Sequence, residues 1–298
     1  MPPASVSGVH QGSCARERTR ASGAIIPWRT IDSEEASAYF AAGTAQYHIN
    51  ADIAYALQKY VEVTGDDEFL RRYGAEILVE TARLWCDLGF FSDRKDGRFC
   101  INGVTGPDEY TALVNNNTFT NLMARENLRY AVRTIRDLER TSPDAFQDLV
   151  SHTGLTDDET AAWEEAAERM HLPYDERLGV YPQNDDFLDL EPWDFTGMPE
   201  ENHPLLLHCQ PLNLYRSQVI KQADTVLAMF LLRMPACRSL SRSASAPSSG
   251  SIPCRNSCRN RTALRSPSAL TVSASGGSLS DPSGSLMPRA ARKLRTPS

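Results

Sequence analysis

The chain has 298 residues, 41% of them hydrophobic, and a formal charge of −7. That is enough for one large domain or two modest ones around a true core. No apolar run reaches the roughly 20 residues a membrane-spanning helix needs, and the seven cysteines, odd in number and widely spaced, form no disulfide framework.

The opening stretch, MPPASVSGVHQGSCARERTR, has no apolar run of signal-peptide kind, so a reduced, cytoplasmic setting is expected. Charge and aromatic content then divide the sequence. Every aromatic residue lies before position 233, whereas 233–298 carries eleven Lys and Arg against a single acid, Asp281. This Ser-, Arg-, Pro- and Gly-rich tail has too few large apolar side chains to offset the entropy of ordering its backbone, and disorder is expected. A basic tail attracts phosphate groups, but this one lacks stacking aromatics and a periodic basic face, which argues against nucleic acid. Cys254 and Cys258 have no companion ligands for zinc. A segment translated out of frame has the same look. The expected organisation is a flexible 1–24, a folded 25–232 and a low-complexity 233–298.

Order is expected to begin with the apolar IIPW at 25–28. The first helix is predicted over 44–61, where Ile49, Ile53, Ala56, Leu57 and Tyr60 recur at helical spacing. Gly65, Asp66 and Asp67 turn the chain into a second helix over 68–88, striped by Phe69, Tyr73, Ile77, Leu84 and Leu88, and so short a connection predicts a hairpin. The stretch 89–116 reads as loop with a small strand at 99–101. A third helix is predicted over 117–139 with Asn117 as its cap, and a fourth over 156–170, where Thr156 and Glu159 form a capping box. No regular pattern covers 179–211. A fifth helix is predicted over 213–232, anchored in the core by Ile220, Val226, Leu227 and Phe230. Five helices without strand–helix alternation favour an all-α domain over a parallel sheet, and the long connections are candidate binding or catalytic surfaces.

The densest polar run is NGVTGPDEYTALVNNNTFTN, 102–121. Gly106 and Pro107 constrain a turn that presents Asp108 and Glu109, with Val104, Tyr110, Leu113 and Val114 as apolar support. A carboxylic acid in a partly dry cleft keeps a proton available near neutral pH, which is what a glycosidic oxygen needs as its bond breaks. The plainer alternative is a surface turn with two solvated carboxylates. Asn115, Asn116 and Asn117 can orient hydroxyl groups. A second run, PQNDDFLDLEPWDF at 182–195, sets Asp185, Asp186, Asp189, Glu191 and Asp194 beside Phe187, Trp193 and Phe195, a mixture suited to sugars and without the spacing of a calcium loop. His48 reads as a structural hydrogen-bonding residue. Lys221 reads as a solvent-facing lysine, or with Gln222 as a pair projecting toward an opening. Neither a phosphate-loop glycine motif nor a Gly-x-Ser-x-Gly elbow is present.

Taken in order, IPWRTIDSEEASAYFAAGTAQYHINADIAYAL, GVTGPDEYTALVNNNTFTNLMA, FLDLEPWDF and YRSQVIKQAD resemble glycoside hydrolase family 65 over residues 25–232. That family includes trehalose, kojibiose and maltose phosphorylases and some acid trehalases. The resemblance implies an incomplete (α/α)6 barrel of helical hairpins. It implies Glu109 as the general acid, with Trp28, His48, Asn50, Lys221 and Gln222 lining or supporting the sugar site. The implied reaction is inverting phosphorolysis of an α-linked glucose disaccharide, trehalose first, to β-glucose 1-phosphate and glucose. Kojibiose or maltose phosphorolysis is the near alternative. A family 65 hydrolase with a second acid such as Glu191, and a non-catalytic carbohydrate-binding or structural fragment, are the distant ones. The implied partners are the disaccharide and inorganic phosphate as co-substrate, with no cofactor and no metal, and a homodimer in full-length relatives. Two departures stand out. Asn184-Asp185-Asp186-Phe187 replaces an HEGF-like turn, and the family pattern stops at Arg233.

Overall fold

The computed structural model describes residues 23–31, 34–36, 45–196 and 205–233. Residues 1–22 of the expected flexible start and 234–298 of the expected tail, with Cys254 and Cys258, lie outside the described residues. Gly23 and Ala24, placed in the flexible start, are instead tied in, Gly23 buried and Ala24 N donating to Glu80 O at 3.3 Å.

A short antiparallel pair, β1 (Thr30–Ile31) and β2 (Glu34–Glu35), precedes the first helix. Helix α1 (His48–Thr64) ends at Gly65, whose φ of 67° is a left-handed conformation that costs glycine little. The Asp66 carboxylate then accepts from Phe69 N at 2.9 Å and opens a single α turn, Asp67–Phe69. A π-helical stretch, Leu70–Gly74, leads on into α2 (Ala75–Leu88). The predicted hairpin is therefore present.

The hairpin's apolar faces differ from the predicted stripes. In α1 the buried face is Ala51, Ala54 and Leu57, while Ile53 and Tyr60 are exposed. Small residues let α1 approach its neighbour closely, so the larger side chains need not point inward. Along the second helix the π turn inserts an extra residue into the repeat and shifts its phase. Leu78, Val79, Ala82 and Trp85 take the core positions. Of the predicted stripe, Leu84 is fully buried and Phe69 and Leu88 pack against the core, while Tyr73 and Ile77 do not join it.

Strands β3 (Gly89–Ser92) and β4 (Arg98–Ile101) form an antiparallel hairpin, with Phe90 opposite Cys100 and Phe91 opposite Phe99. Helix α3 (Thr118–Thr141) follows, its predicted cap in place: Asn117 Oδ1 accepts from Thr120 N at 2.9 Å. A helix absent from the sequence reading, α4 (Pro143–Thr153), comes next. Its signals were Pro143 at the first helical position and Gly154 just beyond the end. Helix α5 (Asp157–Glu168) carries the predicted Thr156–Glu159 capping box.

The last described part departs most from expectation. No single helix covers 213–232; instead there are α6 (Pro211–Leu214), β6 (Ser217–Gln218) and α7 (Asp224–Leu231). Strand β6 pairs in parallel with β5 (Glu191–Pro192), and the backbone N–H groups of Lys221 and Gln222 bond a buried carboxylate from another loop. Both interactions take backbone groups that a continuous helix would use internally. Val226, Leu227 and Phe230, expected in the core, are exposed, and α7 turns Asp224 and Ala228 inward.

The described fold is thus helix-rich with three small two-stranded sheets. Helix α3 is its axis and packs against α1, α2, α4, α5 and α7. Phe119, Leu122, Met123, Leu128, Ala131 and Ile135 of α3 meet Leu78, Trp85 and Trp163 in one apolar cluster. Among the described residues no helix is long and apolar enough to cross a membrane.

One polar contact crosses this core. The Trp85 indole N–H donates to Asn127 Oδ1 at 2.8 Å, and Asn127 Nδ2 donates to Thr81 Oγ1 at 3.1 Å. Asn127→Leu leaves the indole donor buried and unpaired, and a loss of about 1–3 kcal/mol is expected. Urea unfolding of the two proteins measures it; equal stability would show that this bridge does not join α2 to α3.

Candidate active site

The acid-bearing loop is closed by a backbone bridge. Val104 N donates to Val114 O at 3.0 Å, and Val114 N returns to Val104 O at 2.9 Å. Val104 is fully buried, as expected of a support, whereas Leu113 points to solvent. Thr105 N donates to Ala45 O at 3.0 Å, which fastens the loop to the segment entering α1. The Tyr110 hydroxyl accepts from Leu205 N at 2.8 Å, and Tyr110 packs with Leu205, Leu214, Val219 and Trp193 in a second, smaller core.

Between these anchors lie Asp108 and Glu109, and their environments are opposite. Asp108 is completely buried, so the reading of two solvated carboxylates is wrong for this residue. Its Oδ1 accepts from Tyr110 N at 3.3 Å, Lys221 N at 2.9 Å and Gln222 N at 3.2 Å, and its Oδ2 accepts from Gln183 Nε2 at 3.1 Å. Burial pushes its pKa up, against the pull of these donors toward the charged form. Glu109 keeps 26% of its side chain exposed, and its Oε2 accepts from the Lys221 ammonium. One loop thus offers one carboxylate to the interior and the next, in part, to solvent.

Asp224, the first residue of α7, lies beneath the same loop. It is fully buried, and its Oδ2 accepts from Asn117 Nδ2 at 3.3 Å. A Cβ at Gly106 would overlap that oxygen and lie 2.6 Å from Asn117 Nδ2, so the loop approaches this closely only with glycine there. Burial, with the Asp108 and Asp52 charges adding to it, pushes the Asp224 pKa up to about 8. Asn117 also donates to Gln183 O at 3.2 Å while its own oxygen caps α3. The N-terminal ends of α3 and α7 are joined through this one amide.

The other expected site residues are placed as follows. His48 is buried at the start of α1, its Nδ1 2.9 Å from Asp52 Oδ2 and its ring edge-on to Phe119. Its Nε2 is buried with no hydrogen-bond partner among the described residues. Asn50 is fully buried and ties down the incoming chain, accepting from Ile26 N at 2.9 Å and donating to Ala24 O at 2.6 Å. That tether leads to Trp28, half-buried with the Arg29 guanidinium 3.9 Å above its ring. Gln222 contributes its backbone: its N–H goes to Asp108 and its carbonyl accepts from Gln183 Nε2 at 3.3 Å.

The structure brings Glu109, Lys221 and Gln222 into one hydrogen-bonded group. His48 and Asn50 lie in the first turn of α1 and Trp28 in the segment before it, and the Ala45–Thr105 bond fastens the entry to α1 to the acid loop. In the acidic run 182–195, Asp185 is structural, contacting His171 Nε2 at 3.1 Å, Lys95 Nζ at 3.2 Å and Asn116 Nδ2 at 2.8 Å. These partners hold its carboxyl below the usual range despite its burial. Glu191 is exposed on β5. Three participants escaped the sequence reading: Gln183, Asp224 and Asp52. Asp224 stood inside the quoted VIKQAD motif, but a predicted continuous helix disguised it; Gln183 gave no signal of its own. Among the described residues no three His, Cys, Asp or Glu groups gather as a metal ion would require.

In fold, the described residues are similar to a solved structure titled as a putative kojibiose phosphorylase from human microbiome. The TM-score is 0.68 with 28% identity over 76% of this chain and 33% of that one. The chain belongs to glycosyl hydrolase family 65: the pattern of that family's central catalytic domain matches residues 10–246. It is 56% identical over 218 residues to the α,α-trehalose phosphorylase of Geobacillus stearothermophilus, and 34% identical over 235 residues to the kojibiose phosphorylase of Halothermothrix orenii. These alignments take in 73% of this chain in each case, but only 28% and 30% of the two relatives.

The raised pKa of Asp224 has a stability consequence. Between its ordinary value of 3.8 and about 8 the folded state retains a proton that the unfolded chain has lost. The contribution is therefore complete below the unfolded value and is lost as pH rises through the folded one. Unfolding free energy should fall with pH across this window, and more gently in Asp224→Asn. Parallel slopes in urea titrations of the two proteins would show that Asp224 holds no such proton.

Proposed function

We propose that residues 25–232 form part of the (α/α)6 catalytic barrel of an inverting glycoside phosphorylase acting on an α-linked glucose disaccharide, with trehalose the leading substrate. The observation that carries this reading is the acid loop itself. Glu109 stands half-open to solvent beside Lys221 on a turn whose preceding carboxylate is locked into the interior. Trehalose leads because the relatives named as its phosphorylases are 56% and 54% identical, against 34% for a kojibiose phosphorylase and 33% for a maltose phosphorylase.

In this reading the Glu109 carboxyl gives its proton to the oxygen between the two sugars as that oxygen leaves the anomeric carbon. An oxygen of inorganic phosphate forms the new bond from the opposite face, so an α linkage becomes β-glucose 1-phosphate and the second glucose departs. Phosphate is itself the nucleophile, so no second carboxylate is needed to activate water, unlike in an inverting hydrolase. The reaction needs no cofactor or metal, and the disaccharide and phosphate are its partners in a cytoplasmic setting. Lys221 would exchange its contact with Glu109 for sugar oxygens as the substrate binds. His48 Nε2, buried and lacking a partner among the described residues, and the Trp28 ring are the remaining groups assigned to the sugar.

The test is phosphate-dependent formation of glucose 1-phosphate from trehalose, kojibiose and maltose by the protein and by Glu109→Gln. The amide has the shape of the acid but no proton to give, and turnover of trehalose should fall by about 10²–10⁴-fold, the usual share of a general acid. Unaltered turnover in the amide variant would remove Glu109 from the mechanism. Glucose release without phosphate would mark a hydrolase.

A further inference from the structure

Proton donation by Glu109 does not in itself call for two further carboxylates in a dry site, yet Asp108 and Asp224 are both fully buried directly behind it. Buried charge is expensive unless well paired, so an arrangement of this kind has to provide something specific. Asp108 bonds three separate stretches of chain: its own turn through Tyr110 N, the β6–α7 connection through Lys221 N and Gln222 N, and residue 183 through the Gln183 amide. The side chain next to the acid therefore grips the backbone of the very residue whose ammonium meets the acid. Asp224, three positions beyond Lys221, supports the other side of the turn. Its Oδ2 sits where any side chain at Gly106 would go, and its Oδ1 is buried without a hydrogen-bond partner among the described residues.

We propose that Asp108 and Asp224 are positioning residues for the reaction, a clamp that holds the turn of Glu109 and the turn of Lys221 together so that acid and lysine meet the substrate as one unit. The proposal rests on the reading of Glu109 as the acid. Around Asp224 the facing groups are Asp108 from the acid loop, Asp52 from α1 with His48 bonded to it, and the neutral Asn117 that caps α3. Asp224 keeps its proton up to about pH 8. Losing it would set a second negative charge against Asp108 in the dry space under the turn and force the two turns apart.

The experiment measures kcat for trehalose phosphorolysis, with both substrates saturating, from about pH 6 to pH 10. It compares wild type, Asp224→Asn, Asp108→Asn and Glu109→Gln, each with its unfolding midpoint recorded. Wild-type kcat should fall above about pH 8 as Asp224 ionises. Asp224→Asn retains an acceptor oxygen and cannot ionise, so it should keep most of the neutral kcat and lose that alkaline fall, which a merely structural residue would not change. Asp108→Asn puts an amide N–H where an acceptor is needed, and kcat should drop by about 10–100-fold at every pH, as expected for a displacement near 1 Å. An alkaline fall that is absent from wild type, or unchanged in Asp224→Asn, overturns the role of Asp224. Wild-type kcat in Asp108→Asn overturns the role of Asp108; where that variant does not fold, the Asp224→Asn profile decides the clamp alone. With Glu109→Gln inactive, such failures sink only the clamp, whereas normal turnover in Glu109→Gln sinks the assignment of the acid beneath it.

Discussion

The Asp108 carboxylate, sealed from solvent and accepting from four N–H groups on three segments of chain, is the interaction on which the site's geometry depends. A carboxylate placed there without partners would carry a desolvation penalty of several kcal/mol. With partners, its lone pairs become a junction between stretches far apart in sequence. The acid loop cannot shift without breaking bonds to the β6–α7 connection, and that connection cannot coil into a helix without abandoning Asp108. The two irregular stretches hold each other in conformations that neither would keep alone.

The same junction explains where sequence reasoning worked and where it failed. Asn117 and the Thr156–Glu159 box were legible because capping is local: side chain and target lie within three residues. Gly65 was legible for the same reason, since the left-handed turn it makes is a property of one residue. The stretch 213–232 was not. Its apolar spacing does suit a helix, but its backbone donors are claimed by a carboxylate more than a hundred positions earlier, and periodicity carries no trace of that partner. On the second helix Tyr73 and Ile77 missed the core, where a π turn inserts a residue into the repeat, while Leu84 reached it. On α1 Leu57 was right, but the close packing otherwise uses alanines while Ile53 and Tyr60 face outward.

The candidate site shows the same division. Glu109 was singled out because a Gly-Pro-Asp-Glu turn flanked by apolar support has a recognisable chemistry, and Lys221 because its motif keeps the same order along the chain as the others; the structure brings the two side chains into contact. What remained hidden was the division of labour inside the pair of acids. From sequence alone Asp108 and Glu109 are equivalent neighbours on a turn; burial separates them, turning one into a hydrogen-bond hub and leaving the other partly exposed to solvent. Gln183 and Asp224 acquire meaning only through that separation.

On the proposed reading Glu109 is a general acid, and such a group has little tolerance in position, because misplacement by about 1 Å can cost two orders of magnitude in rate. A loop tip is an unpromising support for such a group, since exposed connecting segments are the more mobile parts of a fold. Here the tip is held by its neighbour rather than by its own side chain. The Val104–Val114 bridge closes the loop at its base, Tyr110 anchors it to Leu205, and Asp108 pins its summit to residues 183, 221 and 222. Among the described residues the Glu109 carboxylate bonds only the Lys221 ammonium, so the loop does not depend on it for its shape. Burial and exposure thus fall to adjacent residues, Asp108 bonded into the interior and Glu109 in contact with Lys221 at its edge.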